Sequence, residues 1–169
     1  MRNIEIKARL DDLCEARRVA QSLKAEVVGE GEQVDTYFHS PQGRMKLRVS
    51  TFEAPASLIW YMRPDEPDAR ISDYRLAKLK KLDKLRDYLA LRFGVKGTVR
   101  KKRTILRCDG ALIHLDDVEG LGQFIEFEVP VDESEQQARR TIAKLMKTFR
   151  IPPDRLVPES YSDLLFRNS

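Results

Sequence analysis

The sequence predicts a predominantly antiparallel α+β protein, in which about eight strands form either a barrel or a strongly curved sheet. Three observations support this class. Many segments alternate between polar and apolar residues, which is the period of a strand with one buried face. Short turn sequences join most of these segments, as in antiparallel hairpins. Apolar residues follow helical spacing in only two or three segments.

The first two elements are a strand and a helix. Residues 2–10, RNIEIKARL, alternate, with Ile4 and Ile6 between polar positions. The pattern then changes in DDLCEARRVAQSLKAE, where Asp11 or Asp12 can serve as the N-cap of a helix. The apolar positions at helical spacing are Leu13, Ala16, Val19, Ala20 and Leu23.

The next segments predict strands. EQVDTYFHS, the turn PQGR and RMKLRVS together have a hairpin signature, with His39 in the loop. SLIWYMRP predicts an apolar strand, and ARISDYRLAKL predicts an alternating one.

The second half of the chain predicts two helices and three strands. KLKKLDKLRDYLALRFG has helical spacing at Leu79, Leu82, Leu85, Leu89 and Phe93, and Gly94 is its expected C-cap. VKGTVRKKRTILRC, the turn DG and ALIHLDDVEGLGQFIEFEVPV predict three strands. DESEQQARRTIAKLMKTF begins with acidic residues and ends with lysines, as the helix dipole favours, and the tail PESYSDLLF follows.

Length and charge narrow the classes of function. A chain of 169 residues is long enough for one domain with a substantial core. Charged side chains make up 34% of it, but 31 basic and 27 acidic residues leave a net charge of only +4. This balance permits nucleic-acid binding without arguing for it. Because neither a signal sequence nor a membrane-spanning apolar run is present, we expect a cytoplasmic protein without a membrane partner.

Charged residues recur at every second position on nearly every predicted strand. On one strand this pattern is typical of a solvent-exposed sheet face or a protected edge. Taken together, the strands favour another interpretation, because arginine dominates and its planar fork matches phosphate oxygens. If the strands close into a barrel, this face lines the lumen, and we expect a polyanionic ligand. The in-phase basic residues are Lys7, Arg9, Arg44, Lys46, Arg48, Arg63, Arg70, Lys101 and Arg103.

Acidic residues occur in phase with the basic ones. Glu126 and Glu128 form an ExE pair, which places two carboxylates on one strand face about 6.5–7 Å apart. With Glu5, and with Asp116 as a further candidate, they could converge as hard oxygen ligands. Mg²⁺ and Mn²⁺ prefer such ligands. We therefore expect one of these metals beside the phosphate-binding residues.

These segments resemble the CYTH superfamily, also called triphosphate tunnel metalloenzymes. IEIKARL resembles the ExExK motif of that superfamily, and the similarity continues in the expected order through most of the chain. The other matching stretches are QVDTYFHSPQGRMKLRVS, LIWYMRPDEPDARISDY, VRKKRTILR, ALIHLDDVEGLGQFIEFEV and YSDLL. RPDEPDARISDY and IHLDDVEGLG are most similar to the class IV adenylyl cyclase branch. Residues 1–169 are thereby interpreted as a single CYTH-type domain.

The resemblance implies an eight-stranded antiparallel β-barrel that forms a polar tunnel, with helices packed outside. Glu5 matches the second glutamate of ExExK and Lys7 matches its lysine, so both are candidate catalytic residues. The predicted phosphate-binding residues are Lys7, Arg9, Lys46, Arg48, Arg63, Arg70, Lys101 and Arg103, of which Arg9 and Arg70 are added on their phase alone. The predicted metal ligands are Glu5, Asp116, Glu126 and Glu128.

The implied activity is metal-dependent chemistry on a triphosphate, with conversion of ATP to cyclic AMP and pyrophosphate as the leading reaction. One alternative is a triphosphatase acting on thiamine triphosphate, inorganic tripolyphosphate or a nucleoside triphosphate. Another is a module that binds polyphosphate or a nucleotide without turnover. Interleaved acidic residues argue against a nucleic-acid partner, because they repel a phosphate backbone. The sequence leaves open whether the protein forms a homodimer, since related cyclases include dimers.

Asn3 is the position at which the chain departs from the motif, which reads NxExK. An amide keeps an oxygen ligand but loses a negative charge, so it should weaken metal binding or change the number of metals. Lys7 is expected to bind phosphate, or to act as a general base if burial and nearby cations lower its pKa. His114 either faces the lumen or is structural. Tyr161 either packs across the tunnel mouth or forms a hydrophobic plug.

Overall fold

A computed structural model of the chain describes residues 1–53, 56–66, 68–79, 83–131 and 134–166. The strands in these ranges are β1 (Arg2–Arg9), β2 (Glu26–Phe38), β3 (Arg44–Ser50), β4 (Ala56–Met62), β5 (Arg70–Leu79), β6 (Val95–Cys108), β7 (Ala111–Val118) and β8 (Gly122–Pro130). The helices are α1 (Leu13–Ser22), α2 (Asp83–Phe93), α3 (Glu135–Thr148) and α4 (Tyr161–Phe166), with a 3₁₀ turn at Pro153–Arg155. Within the described ranges, no helix has the length and apolar character needed to cross a membrane.

The eight strands close into one barrel in the order β1-β5-β4-β3-β2-β6-β7-β8, and β8 pairs back onto β1. Every neighbouring pair is antiparallel. The longest pairing joins β2 to β6, from Glu26 opposite Arg107 to Phe38 opposite Val95. The structure therefore confirms the predicted antiparallel α+β class, and it shows a closed barrel instead of an open curved sheet.

The apolar outer face of the barrel is covered by α1 and α3. Ile4 and Ile6, which alternate with polar residues on β1, are buried on this face. They share a cluster with Ala20 of α1 and with Ile142 and Leu145 of α3. Full burial of an aliphatic side chain contributes about 1.5–3 kcal/mol. Because the side-chain period of a strand is two, covering this face directs the charged face of β1 into the lumen.

Two local signals in the sequence, a helix N-cap and a short hairpin turn, lie at the element boundaries that they predicted. Asp12 caps α1, and its Oδ1 accepts a hydrogen bond from the backbone N of Cys14 at 2.7 Å. Asp109 and Gly110 have φ angles of 50° and 75°, as the two central residues of a type I′ hairpin turn require. The short DG turn therefore brings β6 and β7 into register.

The helix predicted from KLKKLDKLRDYLALRFG begins later than expected. Leu79 is the last residue of β5, where it pairs with Ala56 of β4. Helix α2 begins at Asp83, and the predicted helical position Leu82 lies outside the described residues. Pairing with β4 overrides the helical spacing at Leu79, because the sheet ladder continues through it. Leu89 is buried against β2 and β3, as its spacing predicted.

The C-terminal segment crosses one end of the barrel. The backbone N of Val157 donates to the carbonyl oxygen of Lys7 at 2.9 Å, which ties the segment to β1. Helix α4 then lies against β6, where the ring of Phe166 occupies the space that a side chain at Gly97 would need. This end of the lumen is therefore closed by the chain itself.

Candidate active site

The charged strand faces meet inside the barrel and line a cavity of about 260 Å³. The register explains this arrangement, because Glu5 pairs with Glu128 and Lys7 pairs with Glu126 across β1 and β8. Paired residues project on the same face of a sheet, so all four side chains point inward. The predicted site residues that line the cavity are Glu5, Lys7, Lys46, Arg48, Arg63, Lys101, Arg103, Glu126 and Glu128.

Three carboxylates form one group in the cavity. One oxygen from each of Glu5, Glu126 and Glu128 lies within 4.8 Å of the other two. Asn3, at the first motif position, contacts this group, since its Nδ2 donates to Glu128 Oε2 at 3.3 Å. The amide therefore presents a hydrogen-bond donor to the carboxylates.

The three carboxylates repel one another electrostatically, and a bound cation would reduce this repulsion. Burial, followed by the charges of Glu126 and Glu5, raises the pKa of Glu128 to about 7. Burial also acts to raise the pKa of Glu126, but Arg103 and Lys7 outweigh it and hold that pKa below its usual range. A divalent cation between the carboxylates would favour their ionised forms. Three oxygen donors at this spacing therefore fit a metal such as Mg²⁺ or Mn²⁺.

Arg63 is the predicted phosphate-binding arginine that lies nearest to this group. It is almost fully buried and donates to the carboxylate of Glu5. Burial opposes its charge, but Glu5 and other nearby groups keep the pKa of Arg63 above its usual value. Arg63 therefore stays cationic beside the candidate metal ligands.

Lys46 and Arg48 are held by Asp35, an acidic residue missing from the predicted set. Asp35 Oδ1 accepts from Arg48 Nε at 2.8 Å, and Asp35 Oδ2 accepts from Lys46 Nζ at 3.0 Å. The aspartate is buried, yet these cations hold its pKa well below its usual value. Its alternation with Tyr37 in QVDTYF is the signal that could have placed it on the inner face. Asp35 therefore positions two phosphate-binding candidates.

Asp116 lies inside the barrel, but the three-carboxylate group among the described residues does not include it. Its two oxygens accept from Arg103 Nε and Nη2, each at 2.6 Å, and Tyr161 Oη donates to it at 2.9 Å. The register places Arg103 directly opposite Asp116, which explains the pairing. Arg103 Nη2 also reaches Glu126 at 3.2 Å. Asp116 thus contacts the cavity only indirectly, through Arg103, which is a candidate phosphate-binding residue.

Two lysines in the cavity have unusually low pKa values. Burial is the main cause in both cases, and it lowers the pKa of Lys7 and of Lys101 to about 7. Lys7 Nζ donates to the carbonyl oxygen of Glu159 and lies 4.4 Å from the ring centroid of Tyr161. A lysine with a pKa near 7 is partly neutral at neutral pH and can then accept a proton.

Two predicted phosphate-binding arginines do not line the cavity. Arg9, at the exposed end of β1, donates to the carbonyl oxygen of Leu121 at 3.1 Å. Arg70 is buried beside Glu5 without lining the cavity; its Nε lies 3.5 Å from Glu5 Oε1 and its Nη1 donates to Val157 O at 3.4 Å. Both face inward by phase, but Arg9 lies beyond the closed end and Arg70 lies under the C-terminal segment.

His114 faces the lumen, which was one of the two alternatives predicted for it. It lines the cavity, and its Nε2 lies 3.8 Å from Glu128 Oε1. Burial, followed by the positive charge of Arg103, lowers the pKa of His114 to about 3. His114 is therefore neutral at physiological pH. His39 lies between β2 and β3, in the predicted loop.

Helix α4 closes the cavity at one end. Tyr161 packs edge-to-face on Phe124, with ring centroids 5.0 Å apart, and it also lines the cavity. Tyr161 is therefore an aromatic plug, and it lies across the closed end of the tunnel. Asp163 anchors the helix, because it accepts from Arg44 Nε at 2.9 Å and from Lys96 Nζ at 2.7 Å. Arg44, which is in phase with Lys46, therefore holds the plug in place.

Known proteins share this sequence pattern and fold. The chain is 24% identical over 173 residues to a Methanocaldococcus jannaschii protein named "Putative adenylate cyclase", covering 97% of this chain and 98% of that protein. The structure of a Pyrococcus horikoshii protein is similar with a TM-score of 0.86 and 21% identity, covering 96% of this chain and 98% of that one. A Hippeastrum protein, described as a "putative adenylyl cyclase" with a dominant triphosphatase activity, has a TM-score of 0.62 and 17% identity, covering 99% and 95% of the two chains.

The family match covers most of the chain. Residues 1–161 match the CYTH domain family, a range that includes all eight strands and the tyrosine that closes the lumen. The chain therefore belongs to the CYTH domain family.

Proposed function

We propose that the protein is a metal-dependent enzyme that acts on a triphosphate, and that it converts ATP to cyclic AMP and pyrophosphate as class IV adenylyl cyclases do. One observation carries the proposal: three clustered carboxylates and six lysines and arginines line the same cavity. Membership of the CYTH family and the adenylate cyclase name of a similar protein support it.

The basic residues would bind and orient the phosphates. Arg48 and Arg103 each use part of their guanidinium group to bind an aspartate, which fixes their position in the lumen. Such preorganised cations stabilise negative charge as it develops on a leaving pyrophosphate. Lys46 and Lys101 add compact charges on the same side of the cavity.

Glu5, Glu126 and Glu128 would hold Mg²⁺ or Mn²⁺. When bound, such an ion polarises phosphoryl oxygens and neutralises their charge. The protein orients the ligands for this role, because Arg63 donates to Glu5 and Arg103 donates to Glu126. Arg103 also holds the pKa of Glu126 below its usual range. Asp116 would act indirectly, by holding Arg103 in position.

Lys7 is the candidate general base. Its pKa of about 7 leaves a substantial neutral fraction at neutral pH, and it lines the cavity beside Glu126. Neutral Nζ would take the proton from the ribose 3′-hydroxyl as that oxygen attacks the α-phosphorus. The bond from the α-phosphorus to the bridging oxygen then breaks, and pyrophosphate leaves with the electron pair.

Hydrolysis of a triphosphate is the second candidate, with water attacking the terminal phosphate in the same lumen. The dominant triphosphatase activity given for the Hippeastrum protein of the same fold favours including it. Thiamine triphosphate, inorganic tripolyphosphate and nucleoside triphosphates are the substrates to compare. Binding of these compounds without turnover is the outcome that would replace both enzymatic candidates.

A product assay tests the proposal. Purified protein is incubated with ATP, thiamine triphosphate or tripolyphosphate, with Mg²⁺, Mn²⁺ or EDTA, and cyclic AMP, pyrophosphate and orthophosphate are quantified separately. We expect metal-dependent formation of cyclic AMP and pyrophosphate in equal amounts. Orthophosphate without cyclic AMP would instead support the triphosphatase, and with tripolyphosphate an equal amount of pyrophosphate would accompany it. Tight binding without any product would overturn the enzymatic proposal.

A pair of matched variants identifies the site. Glu126→Gln removes one proposed ligand and should abolish metal-dependent turnover while the fold stays intact by circular dichroism. Glu119→Gln makes the same chemical change at an exposed turn after β7 and should leave turnover unchanged. Equal activity of the two variants would exclude the carboxylate group as the active site.

A further inference from the structure

We propose that His114 is a nitrogen ligand of the metal held by the three carboxylates, and that the site therefore favours Mn²⁺ or a similar transition-metal ion over Mg²⁺. The inference rests on the proposed function, because it concerns the ion that Glu5, Glu126 and Glu128 would bind. It adds a ligand that the acidic pattern of the strands did not indicate.

His114 is a buried side chain whose hydrogen-bonding atoms are unpaired. It is only 4% exposed, and among the described residues neither its Nδ1 nor its Nε2 has a hydrogen-bond partner. A buried polar atom without a partner costs about 1–3 kcal/mol, so most such atoms in folded proteins have one. Because His114 lines the cavity, we expect its partner to be a ligand in the lumen.

The strand register directs His114 towards the carboxylates. His114 pairs with Glu126 across β7 and β8, so these two side chains project on the same face of the sheet. Glu128 lies two residues further along β8 and therefore projects on that face as well. The imidazole thus lies beside two of the three carboxylates, on an adjacent strand.

The spacing between His114 and Glu128 fits two ligands of one ion. His114 Nε2 lies 3.8 Å from Glu128 Oε1, which is too long for a hydrogen bond. Two donor atoms that each bind one ion at about 2.1 Å lie roughly 3.0–4.2 Å apart, depending on the angle between the two bonds. The other oxygen of this carboxylate, Oε2, accepts from Asn3 Nδ2 at 3.3 Å. The oxygen nearer to His114 is therefore not the one that Asn3 binds.

The charges around the imidazole favour a cation over a phosphate as its partner. Glu126 and Glu128, its neighbours on β8, would repel an anionic oxygen at this position. Arg103 is the main cation that acts on His114. Its guanidinium, however, donates to the carboxylates of Asp116 and Glu126, so this positive charge is already paired.

An imidazole ligand changes which ion the site prefers. Mg²⁺ binds oxygen ligands, whereas first-row transition metals also bind imidazole nitrogen. Asn3 stands where the ExExK motif has a glutamate, so the site also has one anionic oxygen ligand fewer than the motif supplies. Both differences reduce the advantage of Mg²⁺. Three carboxylates and one imidazole therefore favour Mn²⁺, whose unpaired electrons also report a directly bound nitrogen.

Electron spin-echo envelope modulation of the Mn²⁺-loaded protein, without triphosphate, tests the inference directly. The chain has two histidines, and His39 is exposed in the loop between β2 and β3. We expect modulation by an imidazole nitrogen in the wild type and in His39→Gln, in which His114 is the one remaining histidine. His114→Gln should lack it. If that buried substitution prevents folding, His39→Gln still identifies the ligand.

Calorimetry measures the effect on metal selectivity. His114→Gln replaces the imidazole nitrogen by an amide oxygen, which suits Mg²⁺ as well as Mn²⁺. We therefore expect the dissociation constant of Mn²⁺ to rise about tenfold and that of Mg²⁺ to change less than about threefold. His39→Gln makes the same chemical change outside the cavity and should change neither constant.

The possible failures are distinguishable. Mn²⁺ bound without nitrogen modulation, or changes in affinity that are the same for both ions in His114→Gln, would overturn the inference and leave the carboxylate metal site intact. Failure of the wild type to bind either ion would overturn that site, and with it both the proposed function and the inference.

Discussion

Arg103 and Asp116 face each other across β6 and β7 and form two hydrogen bonds, each 2.6 Å long, inside the barrel. The pair is bidentate, which orients the guanidinium plane as well as neutralising its charge. Tyr161 donates to the same aspartate, so the pair also joins the barrel wall to the C-terminal plug. One buried aspartate therefore links Arg103, a candidate phosphate-binding residue, to the closure of the lumen.

Replacing this aspartate should destabilise the fold strongly. Asp116→Asn leaves the buried guanidinium of Arg103 without its main counter-charge, and we expect a loss of roughly 3–5 kcal/mol in the free energy of unfolding. Urea denaturation of the metal-free protein measures it. Asp117→Asn is the matched control, because Asp117 is the exposed neighbour on the outer face. Similar losses in both variants would show that the buried pair has no special role.

Activity should increase as the pH rises through about 7, because Lys7 must lose its proton before it can act as a base. Lys7→Met should lower kcat by about 10²–10⁴-fold and remove this limb of the pH profile. Lys101→Met is the comparison, since Lys101 has a similar pKa but contacts Asp35 and Asp116. We expect it to raise KM and keep the limb. The opposite result, with the limb lost only in Lys101→Met, would reassign the base.

The stability of the metal-free protein should depend on Glu128. Its pKa is raised from 4.5 to about 7 by burial and nearby carboxylates. A raised carboxyl pKa favours folding fully below pH 4.5, and this contribution is lost as the pH rises through 7. We therefore expect unfolding free energy in EDTA to fall between pH 5 and 7, and Glu128→Gln to remove that component.

Glu119→Gln serves as the control for this pH dependence, because its carboxyl group is exposed. Its unfolding free energy should follow that of the wild type across the range. Mg²⁺ should also suppress the component from Glu128, since a bound cation favours the ionised carboxylate. If the unfolding free energies of wild type and Glu128→Gln depend on pH in the same way, repulsion among the three carboxylates does not destabilise the metal-free protein.

The inward direction of the charged residues was predictable, because it depends only on the two-residue period of a strand. Glu5, Lys7 and Arg48 all line the cavity for this reason. What each of them contacts was not predictable, since contacts depend on the register between distant strands. Asp35 lies opposite Arg48 only because β2 and β3 pair in one particular register.

The alternation of residues along the strands also did not predict where the tunnel ends. Arg9 is in phase with Lys7, but it falls beyond the closed end of the lumen, and its backbone neighbours give no sign of this. Ile105 and Leu112 also line the cavity, although the alternating pattern alone does not distinguish them from ordinary core residues. Closure of the barrel gives these positions their roles.

Asn3→Glu should tighten metal binding. Asn3 contacts Glu128 through its amide nitrogen, so a glutamate here would add a fourth carboxylate to the group. We expect the dissociation constant for Mn²⁺, measured without any triphosphate, to fall about tenfold or more. The metal-free variant should be less stable than the wild type, because another like charge enters a buried group. Asn3→Gln extends the side chain without adding charge and should leave both quantities nearly unchanged. If Mn²⁺ binds Asn3→Glu and Asn3→Gln equally, the charge at position 3 does not control metal affinity, and the departure from the motif has another cause.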